Sequence, residues 1–260
     1  MSILQDLPFS LCRPDPAQVD GVGNCYLQDF GPAPSELPFL TTYLLDSHGE
    51  VPSKVKSPDY DHITRGQIDW FTRTSQTLRT AREGIAHHDR YSHLSLTLMH
   101  NPLHEYATSD LVPVGGHWRE PTEASSFNSR FYDVLADEGV VAVSCGHDHV
   151  KDCRLLPRRA QAQYKESGLD AEKSRLQGPW LCYAGIVGFG EYGSYDERRY
   201  HRRARVWEVD TGTGGRKTWK RVEYGEGRVD EVVLVRRGAV VTPPDELLAK
   251  TVGMAEQAVS

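Results

Sequence analysis

The run Val140-Val141-Ala142-Val143 is apolar without a break, too continuous for a strand with one face in water. It predicts a strand covered on both faces. Gly146 follows and permits a sharp turn, after which His147 and His149 stand two residues apart. In an extended backbone that spacing sends both imidazoles to the same side. A second apolar strand, within "HLSLTLMHNP", ends in His100 and a proline turn. Between the two, Phe127, Phe131, Val134 and Leu135 predict a helix that Gly139 ends. The three elements make a strand–helix–strand unit with a long loop after its first strand.

Upstream, "GNCYLQDF" and "LPFLTTYLLDSHG" read as strands separated by a Pro/Gly-rich turn over 31–38. Thr64 and Gln67 form a capping box for a helix carrying Ile68, Phe71 and Leu78, with Gly84 as its stop. Downstream, 151–178 is polar and reads as a surface excursion. "WLCYAGIVGFGEYG" is a strand entering a glycine-rich loop. "RRARVWEVD", "RKTWKRVEY" and "DEVVLVRRGAVV" are antiparallel strands joined by glycine turns. From about Pro243 the pattern is weakly helical.

The 260 residues allow one large domain or two small ones, and 38% hydrophobic content suffices for a core. A net charge of −6 argues against a general nucleic-acid binder, whose affinity comes from neutralising phosphates. No stretch approaches the roughly 20 apolar residues of a membrane helix. The N-terminus has no signal-peptide pattern, which makes an intracellular location the default and leaves the compartment open. Five cysteines without CxxC spacing outline neither a disulfide framework nor a thiolate zinc site and read as buried or free thiols, with a Cys153–Cys182 pair left open for an exported chain.

His100, His147 and His149 thus stand at the C-terminal ends of two strands predicted to be parallel, where open α/β sheets hold their ligands. Three imidazoles there suit zinc, iron or manganese, with carboxylates to complete the shell. Taken alone, His100 reads as an ordinary loop histidine bonded locally; the three together favour a metal. "GIVGFGEYG" lacks the strand–GxGxxG–helix context of a dinucleotide site and reads as a pocket-lining loop. The basic run "ERRYHRRAR" reads as a solvated strand face, with one arginine near the pocket as the lesser option. Ser47 and Ser144 lack a GxSxG elbow.

His100 followed by strand–Gly146-His147-Asp148-His149 resembles the last two motifs of the calcineurin-like metallophosphoesterases. The ordered stretches "VDGVGNCYL", "TTYLLDSHG", "QIDWF", "MHNPLHEY", "CGHDHVKDC", "WLCYAGIVGFGEYG" and "RRARVWEVD" are similar to the purple-acid-phosphatase-like branch of plants and fungi. The resemblance implies an α/β fold, here the C-terminal portion of a metallophosphoesterase-type β-sandwich flanked by helices. It implies two divalent or mixed-valence metal ions (Fe, Zn or Mn) in the complete enzyme, which activate a hydroxide to hydrolyse a phosphate monoester or a phosphoprotein. His100 and His147 would bind one ion and His149 the other, while Asp148 tunes the loop.

The family's earlier motifs, D-x-H, G-D-x-x-D and G-N-H-[D/E], do not occur here in order. Asp46-Ser47-His48 spells D-x-H at the wrong place, so Asp46 and His48 read as rim or turn residues. The opening "MSILQDLPFSL" reads as the end of a helix whose beginning is missing. These features predict that Met1 is internal to a longer enzyme and that this chain is inactive alone, holding at most one ion weakly. On that reading 1–242 is a single incomplete domain and 243–260 a tail. The partner is a phosphorylated small molecule or phosphoprotein, with no catalytic residue assignable within this chain and the oligomeric state open. The rivals are a non-catalytic phosphoesterase-like binding module and a fragment unable to fold alone.

Overall fold

The computed structural model describes residues 6–241, except 12–13, 32–36, 85–92, 110, 158–178, 190–192, 212 and 237–238. The helical turns read at 1–5, most of the polar stretch after Pro157 and the tail from Pro243 lie outside the described residues.

The chain begins with β1 (Cys25–Phe30), β2 (Pro38–Leu44), β3 (Glu50–Val51), β4 (Asp59–Tyr60) and helix α1 (Arg65–Glu83). Next come β5 (Leu94–Leu98), β6 (Leu111–Pro113), helix α2 (Phe131–Asp137), β7 (Ala142–Cys145), β8 (Arg154–Pro157) and β9 (Trp180–Tyr183). The short strands β10 (Ser194–Tyr195) and β11 (Arg198–Arg199) precede β12 (Arg203–Asp210), β13 (Gly215–Val222), β14 (Val229–Arg236) and β15 (Ala239–Val240). Seven strands form one sheet in the order β1-β2-β5-β7-β9-β8-β6. Its centre, β2-β5-β7-β9, is parallel, and both margins are antiparallel. Strands β12 to β15 form a separate antiparallel sheet. The fold is mixed α/β, with many strands and few helices.

Alternation along the central strands divides the core. Val143 and Cys145 of β7, Leu181 and Tyr183 of β9 and Leu155 of β8 join Ile68 and Phe71 of α1 and Phe131 and Leu135 of α2. Their neighbours Ala142, Trp180, Cys182 and Leu156 point the other way, into a cluster with Leu94, Leu96, Leu234 and Val235, against which Trp207 and Val209 pack. All four residues of β7 are buried, as a strand with two covered faces requires. Each fully buried apolar side chain of this size contributes about 1.5–3 kcal/mol. Among the described residues no helix is long and apolar enough to cross a membrane.

Helix α1 starts where its capping box places it. Thr64 Oγ1 accepts from the Gln67 N–H (3.3 Å), and Gln67 Oε1 accepts from the Thr64 N–H (2.8 Å). Gly84 caps its other end. Phe71 meets Tyr43 of β2 and Phe131 of α2 edge-on, at centroid distances of 4.8 and 5.3 Å. Thr64→Ala removes both the cap and the 2.7 Å bond from Thr64 Oγ1 to Asp20. It is expected to cost about 1–2 kcal/mol, read as a lower urea midpoint with unchanged slope; an unchanged midpoint would refute the cap's role.

Two sequence expectations need correction. Phe127 is not in α2: it is 58% exposed, because the Arg130 N–H donates to Asn128 Oδ1 in a turn that breaks the helical period before Phe131. The polar excursion does not begin at Lys151, since Lys151, Asp152, Cys153 and all of β8 are buried. Their charges are paired inside the molecule, which hydropathy alone does not register. Cys153 and Cys182 are buried free thiols, in line with the absence of a disulfide framework in the sequence.

Candidate metal centre

Strands β5 and β7 are hydrogen-bonded parallel neighbours, so His100 and His147 emerge from the same rim. The backbone fixes their separation. Met99 N–H donates to Ser144 O (3.0 Å), and the N–H groups of both Gly146 and His147 donate to His100 O at 3.1 Å. Asn101 ties this rim to the end of β2: its N–H donates to Ser47 Oγ (2.7 Å) and its carboxamide to His48 O (2.9 Å). As a result His147 Nδ1 faces His100 Nε2 at 3.4 Å, with ring centroids 5.3 Å apart.

The pKa of His100 is lowered from its ordinary 6.5, first by partial desolvation of the imidazole and then by His147 and His149, against the opposing effect of Asp148. The lowered value favours the neutral imidazole, the form that can donate a lone pair to a metal. His149 therefore lies within electrostatic reach of His100. Asp148 is buried; Lys151 Nζ donates to its Oδ2 (3.0 Å) and the Glu123 N–H to its Oδ1 (3.3 Å). These bonds hold the turn.

The sequence reading missed Glu123 and Tyr60. Glu123 Oε2 accepts from His147 Nε2 (3.1 Å) and from the Tyr60 hydroxyl (2.9 Å), and the Tyr60 ring lies edge-on to His147 at 4.4 Å. Two neighbouring bonds brace this arrangement, as Ser126 donates to Asp59 from its hydroxyl (2.6 Å) and its N–H (3.0 Å). Nothing local in "REPTEASS" signals such a role, because it depends on a long-range match with Asp59-Tyr60.

Asp46 and His48 behave as turn residues. Asp46 accepts from the N–H groups of Val22 (2.7 Å) and His48 (2.8 Å), and His48 takes a left-handed φ of 59°. Gly21 must be glycine here: at φ +92°, a Cβ would lie 2.8 Å from the Asp46 carboxylate. A 650 Å³ groove beside the histidines is lined by Leu45, Asp46, Met99, His100, Gly146 and Arg205.

The basic run is not a solvated face throughout. Arg203 is buried on Asp152, and Arg205 donates to Tyr183 O (2.8 Å), Asp152 O (2.8 Å) and Thr218 Oγ1 (3.1 Å). Arg198 and Arg199 are exposed as expected. Strand alternation selects which arginines turn inward.

Among the described residues, His117, Asp152 and Asp230 have possible ligand atoms all within 4.8 Å of one another. Protein cations already occupy that place. Lys220 Nζ lies 3.0 Å from Asp152 Oδ1 and also contacts Asp230, while Arg119 (3.3 Å) and Arg203 reach Asp152 Oδ2. A divalent ion would meet three positive side chains, so this is an ion-pair cluster.

Comparison with known proteins identifies relatives of the chain. The chain is 34% identical over 249 residues to "Probable inactive purple acid phosphatase 29" of Arabidopsis thaliana, covering 86% of the chain and 56% of that protein. It is 30% identical over 264 residues to "Probable inactive purple acid phosphatase 14" of the same plant, covering 94% and 60%. "Phosphatase DCR2" of Saccharomyces cerevisiae is 30% identical over 227 residues, covering 83% and 35%. The chain thus spans little more than half of the two plant relatives and about a third of the yeast one. No family model and no solved structure matches. By these matches the chain belongs with the purple-acid-phosphatase-like proteins of plants and fungi.

Proposed function

We propose that this chain carries part of a metal-dependent phosphoesterase centre, with His100, His147 and His149 as metal ligands. The observation that carries the reading is the 3.4 Å between His147 Nδ1 and His100 Nε2. Two nitrogens bound at 2.0–2.1 Å to one tetrahedral ion stand about 3.3 Å apart. The donor set therefore fits a metal that accepts imidazole, such as zinc, iron or manganese. Bound metal would neutralise phosphate charge and lower the pKa of water. The chain's own contribution is to hold two imidazole nitrogens 3.4 Å apart, with the rings edge-on, beside the groove.

The layering of the helices, the seven-stranded sheet and the β12–β15 sheet supports reading the domain as a metallophosphoesterase-type sandwich. The substrate would be a phosphorylated small molecule or phosphoprotein, consistent with the relatives' names. The family's other ligand motifs, D-x-H, G-D-x-x-D and G-N-H-[D/E], do not occur in order in this sequence, and Asp148 is committed to Lys151. We therefore assign one ion to this chain. The relatives' names divide on turnover, some reading "inactive" and one "phosphatase", which keeps a non-catalytic binding module as the second reading.

Titrating the chain with cobalt(II), followed by visible absorption, and assaying a chromogenic phosphate monoester tests both. One bound ion with turnover supports the enzyme. One bound ion without turnover is the outcome a partial centre predicts, and the binding module then stays as the second reading. Absence of binding refutes the metal centre.

A further inference from the structure

We infer that Glu123, held by Tyr60, is the positioning residue that fixes which nitrogen of His147 carries the proton. The inference extends the metal-centre reading and rests on it only for its metal-binding consequence. An ionised carboxylate accepts hydrogen bonds and cannot donate. Glu123 Oε2 receives one from the Tyr60 hydroxyl at 2.9 Å and faces His147 Nε2 at 3.1 Å. His147 Nε2 must then carry a proton, and in the neutral imidazole this leaves the Nδ1 lone pair free. That Nδ1 is the atom turned toward His100 Nε2.

Tyr60 acts on the same pair twice. Its hydroxyl anchors the carboxylate, and its ring lies edge-on to the imidazole and limits its rotation. Tyr60 is itself placed by its neighbour Asp59, which is buried and accepts from Ser126 three residues beyond Glu123. The 122–126 segment and β4 are thus pinned together at two adjacent points. A histidine with the opposite tautomer would present an N–H to His100 and could offer no lone pair there. Outer contacts of this kind orient metal ligands and raise their basicity.

The test has two readouts. Long-range nitrogen–proton correlation spectra of the metal-free chain should show His147 in the Nε2–H form. Glu123→Leu should mix the tautomers, whereas Glu123→Gln, whose carboxamide oxygen still accepts, should largely retain the Nε2–H form. Cobalt(II) affinity should fall about 10–100-fold in Glu123→Leu and less in Glu123→Gln. Tyr60→Phe, which keeps the ring and loses the hydroxyl, should fall between wild type and Glu123→Leu. Because the Glu123 side chain is 42% exposed, its replacement leaves the core untouched, and the wild-type tautomer is decisive even if a variant misfolds. An Nδ1–H form in the wild type, or a tautomer indifferent to Glu123→Leu, overturns the inference. An Nε2–H form that depends on Glu123, in a chain that binds no cobalt, supports the inference and defeats the metal-centre reading instead.

Discussion

Asp152→Ala is expected to destabilise the protein by about 3–5 kcal/mol, the usual cost of stripping one partner from a buried charge cluster. The carboxylate is fully buried among Arg203, Lys220 and Arg119 and accepts from the His117 N–H at 2.6 Å. Burial alone would raise its pKa. The His117 hydrogen bond and the charges of Lys220 and Arg203 outweigh it and hold the carboxyl far below its ordinary 3.8. Removing it leaves Lys220 and Arg203, both nearly inaccessible to water, without their shared anion. Asp152→Asn should cost somewhat less, because the carboxamide oxygen still accepts hydrogen bonds. A urea midpoint shift equivalent to under about 1 kcal/mol would show that the cations find other partners. The sign with pH follows from linkage. A depressed folded-state value makes the Asp152 contribution complete above the ordinary 3.8, with progressive loss as pH falls below it. Acid titration of the wild type should therefore show a loss that the Asp152→Ala variant lacks.

His100→Ala and His147→Ala should each abolish measurable cobalt or zinc binding at the rim. Losing a direct donor exceeds the roughly 10–100-fold cost of losing an outer contact, and three imidazoles leave no spare. Neither change should unfold the protein, since His100 is exposed and His147 is only partly buried. Unchanged affinity in both alanine variants would locate any bound metal elsewhere.

How much of this was readable beforehand varied with the range of the interactions. The double-covered β7, the capping box of α1 and the antiparallel run β12 to β14 follow from local pattern, and each was legible in the sequence. The pairing of His100 with His147 was legible too, because a strand–helix–strand unit makes adjacent strands parallel and brings their ends together. Phe127 misled because its spacing fits a helix that an asparagine turn interrupts. Asp152, Arg203 and Lys220 were unreadable as a cluster: charged residues far apart in sequence read as surface until the fold brings them together. Glu123 was missed for the same reason.

The arrangement of the two sheets also bears on the order in which the molecule is put together. In the β12–β14 meander the first pairing closes tightly, with Asp210 opposite Gly215. The parallel sheet instead joins Thr42 to Leu96 and Leu96 to Ala142, each across a long crossover. Closing longer loops sacrifices more chain entropy before any contact offsets it, and such topologies fold slowly. Pairing the rim that carries His100 and His147 therefore carries a larger loop-closure cost than closing the meander. The histidine pair thus depends on the entropically costlier of the two kinds of strand pairing.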